Sequence, residues 1–176
     1  VPDAVEVVHA LHAEGIDVRI MSGGLLPAVA AAADALGISR ERVAAVDISF
    51  AEDGSYAGFD AASPLARAGG KRDTIRQWRQ ELRGAVMMVG DGATDLEVRD
   101  DVELFVAYAG VIERPAVVAG ADVVVFSASI ALVLPLALGG EPPRRADAAL
   151  YERGLALLDA STRADLSNNN ATPERA

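Results

Sequence analysis

The sequence predicts an α/β fold in which helices pack on both faces of a parallel, doubly wound sheet. Short apolar runs suited to buried strands alternate with amphipathic or alanine-rich segments suited to helices. The run at residues 85–89 ends in a glycine-flanked acidic turn, Gly90-Asp91-Gly92, as expected where a buried strand leads into a helix. Asp53-Gly54, between apolar runs at 43–50 and 55–59, predicts an antiparallel hairpin inserted into this pattern.

Each element of the alternation has its own signal. In chain order the pattern predicts a helix ending at Gly15, a strand over 16–21, a helix over 25–36, the hairpin, a helix over 72–82, strands at 85–89 and 104–107, a short helix from Arg114, a strand over 122–126 and a helix over 127–138. A glycine- and proline-rich break follows. We therefore divide the chain into a core, 1–140, and a polar tail, 141–176, with one helix possible over 147–160 and a disordered end.

Composition excludes some classes of function and location. The net charge is −10 and basic residues do not cluster beyond Arg144-Arg145, which argues against nucleic acid as a partner. No apolar stretch reaches the length of a membrane span, and cysteine is absent, so we expect a soluble, cytoplasmic protein. His9 and His12 lie three residues apart without an acidic or histidine neighbour, and we expect them to be packing or surface residues rather than metal ligands.

Three segments place chemically useful residues beside glycine corners. Ser22-Gly23-Gly24 follows the first predicted strand, Lys71 follows Gly69-Gly70, and Asp91 follows the strand at 85–89. Parallel strands end at one edge of a sheet, so we expect Ser22 and Asp91 to converge. Backbone N–H groups at a helix start and a lysine amine bind anions, whereas a carboxylate is a ligand that Mg²⁺ prefers. Together these residues predict a phosphoryl-transfer site.

Each segment also has a simpler interpretation. Ser22-Gly23-Gly24 could be a plain turn, and Lys71 could be a solvated helix start. Asp95 or Thr94 could be an ordinary N-cap of the helix that follows the acidic turn. The order of all three segments in one chain is more specific than any one of them.

That order resembles a known family. Ser22-Gly23-Gly24, Gly69-Gly70-Lys71 and residues 90–95 are similar to the second, third and fourth motifs of the haloacid-dehalogenase superfamily, and more narrowly of its phosphoserine phosphatases. Residues 53–60 and 105–114 resemble the same family. The resemblance implies a Rossmann-like three-layer core and Mg²⁺-dependent hydrolysis of a small phosphorylated substrate, O-phospho-L-serine, through an aspartyl-phosphate.

The resemblance also implies residue roles. Catalytic support falls to Lys71 and Asp95, and Mg²⁺ binding to Asp91. Phosphate or substrate binding falls to Ser22, Gly23, Gly24, Lys71, Thr94 and Arg114. For Arg114, a structural ion pair with Glu113 or Asp122 is the alternative.

One motif of the family has no counterpart in these 176 residues. Asp-x-Asp, which provides the nucleophile and the general acid, does not occur in the sequence, and neither does the small cap that follows it in the family. We therefore expect this chain to be the carboxyl-terminal part of an enzyme, inactive alone, with an upstream segment or another chain supplying the Asp-x-Asp strand and the cap. The alternatives are a phosphatase for another small phosphate ester, or a protein that binds phosphate or a partner without catalysis.

Overall fold

The computed structural model describes residues 1–169, with side chains described as far as Ser161. The helices are α1 (Ala4–Ala13), α2 (Leu26–Ala35), α3 (Gly70–Trp78), α4 (Ala93–Leu96), α5 (Pro115–Ala119), α6 (Val133–Ala137) and α7 (Ala148–Asn169). The strands are β1 (Ile20–Leu25), β2 (Val43–Val46), β3 (Ile48–Phe50), β4 (Tyr56–Phe59), β5 (Met87–Gly90), β6 (Leu104–Tyr108) and β7 (Val123–Val125). Short 3₁₀ turns lie at Arg40–Arg42, Pro64–Ala66 and Arg99–Asp101.

The strands form two parallel sheets and one antiparallel hairpin. β5, β6 and β7 lie in that order in one parallel sheet, and β1 pairs with β2 in the other. β3 and β4 form the hairpin around Gly54, whose φ of 81° is in the left-handed region that favours glycine. The predicted α/β fold with a hairpin insertion is confirmed. Within residues 1–169, however, the parallel strands form two sheets instead of the single sheet that we predicted.

The middle strand β6 separates two apolar cores. Phe105 and Ala107 pack on one side with Ile75 of α3 and Val117 of α5. Val106 packs on the other side with residues of α1, α6 and α7. Alternate residues of a strand point to opposite faces, and Phe105 and Val106 are both fully buried. Helices therefore cover both faces of this sheet, which is the predicted three-layer arrangement.

The two parallel sheets share their packing. Met21 of β1 and Met88 of β5 pack against the same cluster on the α3 side. Val18, just before β1, packs with Met87 and Val89 on the opposite side. The strands β1 and β5 therefore lie near one another, although β1 pairs with β2 and β5 pairs with β6.

The first strand begins later than predicted. β2 begins only at Val43, which is opposite Ile20, so the preceding residues 16–19 have no ladder partner. As a consequence, Ser22-Gly23-Gly24 lies inside β1 instead of following it, in the part where the register with β2 is irregular. The predicted strand over 43–50 is divided, because its first half pairs with β1 and its second half forms the hairpin.

The predicted helix over 127–138 is also shorter in the structure, where α6 is its only helical part. The hydroxyls of Ser127 and Ser129 accept hydrogen bonds from the backbone N–H groups two residues later, of Ser129 and Ala131. Such local bonds compete with helical ones, and residues 127–130 are outside any helix.

The helix predicted over 147–160 is present as α7 but is longer. Leu150 and Tyr151 are buried in the core beside α1 and α6, so this helix packs on the domain. Residues 167–169, predicted to be disordered, are helical, and the prediction for 170–176 lies outside the described residues. No helix in the described part of the chain combines the length and the apolar character needed to cross a membrane.

Candidate functional site

The helix that carries Lys71, α3, begins at a tight glycine corner. Gly69, the N-cap of α3, has a φ of 77°, which favours glycine. A Cβ on Gly70 would lie 1.7 Å from the carbonyl oxygen of Pro64, so no side chain fits there. These two glycines bring the start of α3 against the turn at Pro64–Ala66 and fix the position from which the Lys71 side chain extends.

Lys71 forms a shielded ion pair with Asp95. The Lys71 Nζ lies 2.5 Å from Asp95 Oδ1, and only 15% and 8% of the two side chains are exposed. Because little water reaches the pair, its Coulomb attraction is screened less than that of a surface pair. Lys71 is the only lysine among the 176 residues. Two residues predicted for the site are thus in direct contact.

Asp95 also braces the acidic turn. Its second oxygen, Oδ2, accepts a hydrogen bond of 2.8 Å from the backbone N–H of Gly92, the N-cap of α4. A Cβ on Gly90 would lie 2.3 Å from Asp95 Cγ, so the carboxylate fits only beside a glycine. The capping interpretation and the site interpretation of Asp95 are therefore compatible, since one oxygen holds the helix start and the other holds Lys71.

Asp91 lies directly after β5 and is paired with Arg114. The Arg114 Nη1 donates to the Asp91 carboxylate and, at 2.9 Å, to the Asp91 backbone carbonyl. Both side chains are close to half exposed, at 47% and 43%. The alternative partner Asp122 instead accepts a hydrogen bond from Arg99. Arg114 therefore joins the end of β5 to the start of α5.

Asp91 is the carboxylate that fits a Mg²⁺ ion. In the described part of the chain, no three His, Cys, Asp or Glu side chains are gathered closely enough to hold a metal. Both oxygens of Asp95 are engaged, by Lys71 and by Gly92, whereas Asp91 faces solvent and an exposed guanidinium. Mg²⁺ is commonly bound through one or two carboxylates, with water and phosphate oxygens completing the coordination. The donor set fits an ion held by Asp91.

The segment Ser22-Gly23-Gly24 is more occupied than predicted. The Gly24 N–H, which we expected to be free for an anion, donates to Ser22 Oγ at 3.0 Å, a local bond typical of a serine two residues back. A Cβ on Gly23 would lie 3.2 Å from the carbonyl oxygen of Leu65. This segment thus approaches the turn at Pro64–Ala66, which in turn packs on Gly70, so that turn links Ser22 to the Lys71 corner.

The other predicted residues lie at the surface or away from these contacts. Thr94 is exposed on the first turn of α4, next to Asp95. His9 is exposed on α1 with its ring beside Gly37, and His12 is half-buried on the same helix.

The sequence interpretation missed Glu97. Its Oε2 accepts a 2.8 Å hydrogen bond from the Gly69 N–H, and its backbone carbonyl accepts one of 2.7 Å from Arg72 Nε. Gly69 precedes Glu97 by 28 residues, and no spacing rule connects them. The only sequence signal for Glu97 is its own position, as an acidic residue two positions after Asp95.

A second acidic residue, Glu103, anchors the approach to β5. Its carboxylate accepts two hydrogen bonds from Arg79, of 2.8 and 2.6 Å, and one of 2.6 Å from the Val86 N–H. The Arg79 hydrogen bonds, followed by that from Val86, lower the pKa of Glu103 from 4.5 to about 2. This carboxylate ties the end of α3 to the segment that leads into β5.

The family of the chain follows from a direct comparison. The model of the haloacid dehalogenase-like hydrolase family matches residues 1–98, which contain Ser22, Lys71, Asp91 and Asp95. This match covers more than half of the chain. The chain belongs to this family.

The curated relatives that match this chain include several phosphoserine phosphatases. The chloroplastic phosphoserine phosphatase of Arabidopsis thaliana is 42% identical over 128 residues, which is 71% of this chain and 43% of that protein. The phosphoserine phosphatase of Drosophila melanogaster is 38% identical over 112 residues, 62% of this chain and 42% of that protein. The crystal structure of a phosphoserine phosphohydrolase-like protein from Francisella tularensis superposes with a TM-score of 0.66 at 28% identity, covering 77% of this chain and 61% of that chain. This chain spans about half the length, or less, of the curated relatives that it matches.

Proposed function

We propose that this chain is the phosphate-handling part of a Mg²⁺-dependent phosphatase that hydrolyses O-phospho-L-serine. The observation that carries the proposal is the shielded Lys71–Asp95 pair, which holds the only lysine of the chain beside the acidic turn. A largely desolvated charge pair is costly to form, and the lysine ammonium that it holds is a compact positive charge of the kind that binds phosphate. The relatives named phosphoserine phosphatase support this substrate.

In this proposal the phosphoryl group is bound by Lys71 and by the Ser22 segment. The lysine ammonium has three N–H donors, of which Asp95 takes one, so two remain for phosphate oxygens. The Ser22 hydroxyl hydrogen and the backbone N–H of Gly23 add further donors. The Gly24 N–H would exchange its bond to Ser22 Oγ for a stronger one to an anion.

Asp91 is the proposed Mg²⁺ ligand, and when bound the ion would supply positive charge that stabilises the phosphoryl oxygens. Arg114 lies against Asp91, and its guanidinium has further N–H donors for a substrate carboxylate or phosphate. Thr94, exposed on the same turn as Asp95, would add a hydroxyl donor to the phosphate.

We place the nucleophile on an Asp-x-Asp strand that is not among these 176 residues. Within the described chain, β1 pairs only with β2 and β5 only with β6, while Met21 and Met88 share one core. A parallel strand between β1 and β5 would pair with both and cover these edges. In the proposed reaction, its aspartate oxygen bonds to phosphorus while the serine oxygen leaves with a proton from the second aspartate. Water then attacks phosphorus and gives a proton back to the second aspartate, which releases inorganic phosphate and restores the carboxylate of the first.

Phosphate release from O-phospho-L-serine and from a panel of other small phosphate esters tests the proposal. The assay uses a protein that carries these residues together with the Asp-x-Asp strand. Asp91→Asn should abolish Mg²⁺-dependent release, whereas Asp34→Asn, at an exposed position on α2, should not. Release from another ester alone would show a different substrate. Phosphate binding without hydrolysis of any ester would show a non-catalytic protein and refute the proposal.

A further inference from the structure

We propose that Glu97 positions Lys71. This inference rests on the proposed role of Lys71 in phosphate binding, but it assigns a function to a residue outside the motifs. Glu97 is half-buried and touches neither Lys71 nor Asp91 through the hydrogen bonds described above. It acts instead on the backbone from which the Lys71 side chain begins.

Three bonds join the start of α3 to the end of α4. The Gly69 N–H donates to Glu97 Oε2 at 2.8 Å, Lys71 Nζ donates to Asp95 Oδ1 at 2.5 Å, and Arg72 Nε donates to the Glu97 carbonyl at 2.7 Å. Lys71 therefore lies between two residues that are both held by Glu97. The ammonium is at the end of a long flexible stem, so its position depends on where the backbone of this helical turn is held.

The Glu97 carboxylate supplies a cap that the sequence of α3 lacks. The N-cap Gly69 has no side chain with which to accept a hydrogen bond from the first turn. In a capping box, a glutamate three residues later accepts the N–H of the N-cap residue. Here Glu97 accepts that N–H from another segment, and its negative charge also lies at the positive end of the helix.

Loss of this carboxylate would leave the Gly69 N–H without its acceptor and would loosen the turn that carries Lys71. Glu97 itself provides no contact to a phosphate in this proposal, so it is a positioning residue. Its removal should increase access to the Lys71 amine and weaken phosphate binding.

Because Lys71 is the only lysine, the test can follow a single side chain. An amine-selective acylating reagent modifies Lys71 and the chain's α-amino group, and peptide mass spectrometry separates the two. The variants are Glu97→Met, which cannot accept the Gly69 N–H, and Glu97→Gln, whose amide oxygen can. Glu81→Met, at an exposed glutamate beyond α3, is the control.

We expect Glu97→Met to accelerate the acylation of Lys71 by about two- to tenfold, the range that corresponds to one net hydrogen bond. The affinity for inorganic phosphate should fall by a similar factor. Glu97→Gln and Glu81→Met should stay within about twofold of the unsubstituted chain for both measurements. All rates are taken far below the unfolding midpoint of each variant, so that global unfolding does not expose Lys71.

Equal acylation rates in folded Glu97→Met, Glu97→Gln and the unsubstituted chain would overturn the inference. If Glu97→Met does not fold, Glu97→Asp replaces it, because its carboxylate is one methylene too short to reach Gly69, and an unchanged rate would again overturn the inference. Acylation does not depend on turnover. A chain without phosphate binding whose Lys71 acylation still depends on Glu97 would refute the proposed function and support the positioning role.

Discussion

Gly90→Ala should dislodge Asp95 although it adds only one methyl group. The new Cβ would lie 2.3 Å from Asp95 Cγ and 2.6 Å from Oδ2, distances that real Cβ atoms do not tolerate. Asp95 has little room to retreat, because it is only 6% exposed. The substitution should therefore break the bonds of Asp95 to Lys71 and to Gly92.

The expected loss in the free energy of unfolding is the sum of three contributions. Overpacking of a filled site costs about 1–3 kcal/mol. We count the two bonds of the Asp95 carboxylate as one unit of about 1.5–3 kcal/mol, the contribution of a single hydrogen bond to a charged group, and alanine regains about 0.5–1 kcal/mol over glycine in a strand. We expect a net loss of about 2–5 kcal/mol in the free energy of unfolding, which lowers the urea midpoint by about 1–2.5 M at a typical slope of about 2 kcal/mol per molar.

Urea unfolding followed by the fluorescence of Trp78 measures this loss. Trp78 is the only tryptophan and lies on α3, with the guanidinium of Arg19 5.2 Å from its ring centroid. The matched variant is Gly92→Ala, whose Cβ would lie 3.1 Å from Asp95 Oδ2 and needs only a small shift, so we expect less than about 1 kcal/mol. An unchanged midpoint for Gly90→Ala, or equal midpoints for the two variants, would refute the steric argument.

Three further predictions concern charged groups. Glu103→Gln should lower stability by less than about 1 kcal/mol at pH 7, because the Glu103 carboxylate is 46% exposed. The pKa of Glu103 is about 2 in the folded chain, against an ordinary value of 4.5, so this contribution is present above pH 4.5 and is lost as the pH falls towards 2. The urea midpoints of Glu103→Gln and of the unsubstituted chain should therefore differ at pH 7 and converge at pH 2.5. A constant gap would contradict this. Lys71→Met should lower the free energy of unfolding by about 3–5 kcal/mol, since it leaves the Asp95 carboxylate buried without its cation, and should abolish phosphate binding in calorimetry. Retained binding would exclude Lys71 from the site. Arg114→Gln should strengthen Mg²⁺ binding severalfold by removing a cation that competes for Asp91, and should weaken phosphate binding; a change of both affinities in the same direction would contradict the pairing.

The alternation of strands and helices could be predicted because it is a local property. Apolar runs and glycine signals gave the order of the elements, and the hairpin at Gly54 formed where its turn residues indicated. The partner of each strand is not local. The run at 43–50 was predicted as one strand, but its two halves pair with different neighbours, and only the tertiary structure divides them.

The glycine corners of the candidate site could be read from the sequence, but the contacts of its side chains could not. Gly70 and Gly90 are required by close approach to Pro64 and Asp95, and such positions stand out as glycines in the sequence. The bond from Gly69 to Glu97 spans 28 residues and involves a backbone N–H, which carries no sequence signature. The sequence therefore indicated where the tight corners lie without showing which side chains hold them.

The two aspartates of the acidic turn show why residue type alone does not assign a role. Asp91 is half-exposed and bonded to an exposed guanidinium, so its carboxylate is open to other partners from solvent. Asp95 is buried, with one oxygen bonded to Lys71 and the other to the N-cap of α4. A change of partners at Asp95 would therefore break both the ion pair and the cap. In the proposed function, an ion that binds and leaves would require the first environment, and a lysine held ready for an anion would require the second. Burial and partners, rather than the shared carboxylate chemistry, therefore distinguish these two aspartates, which are only four residues apart.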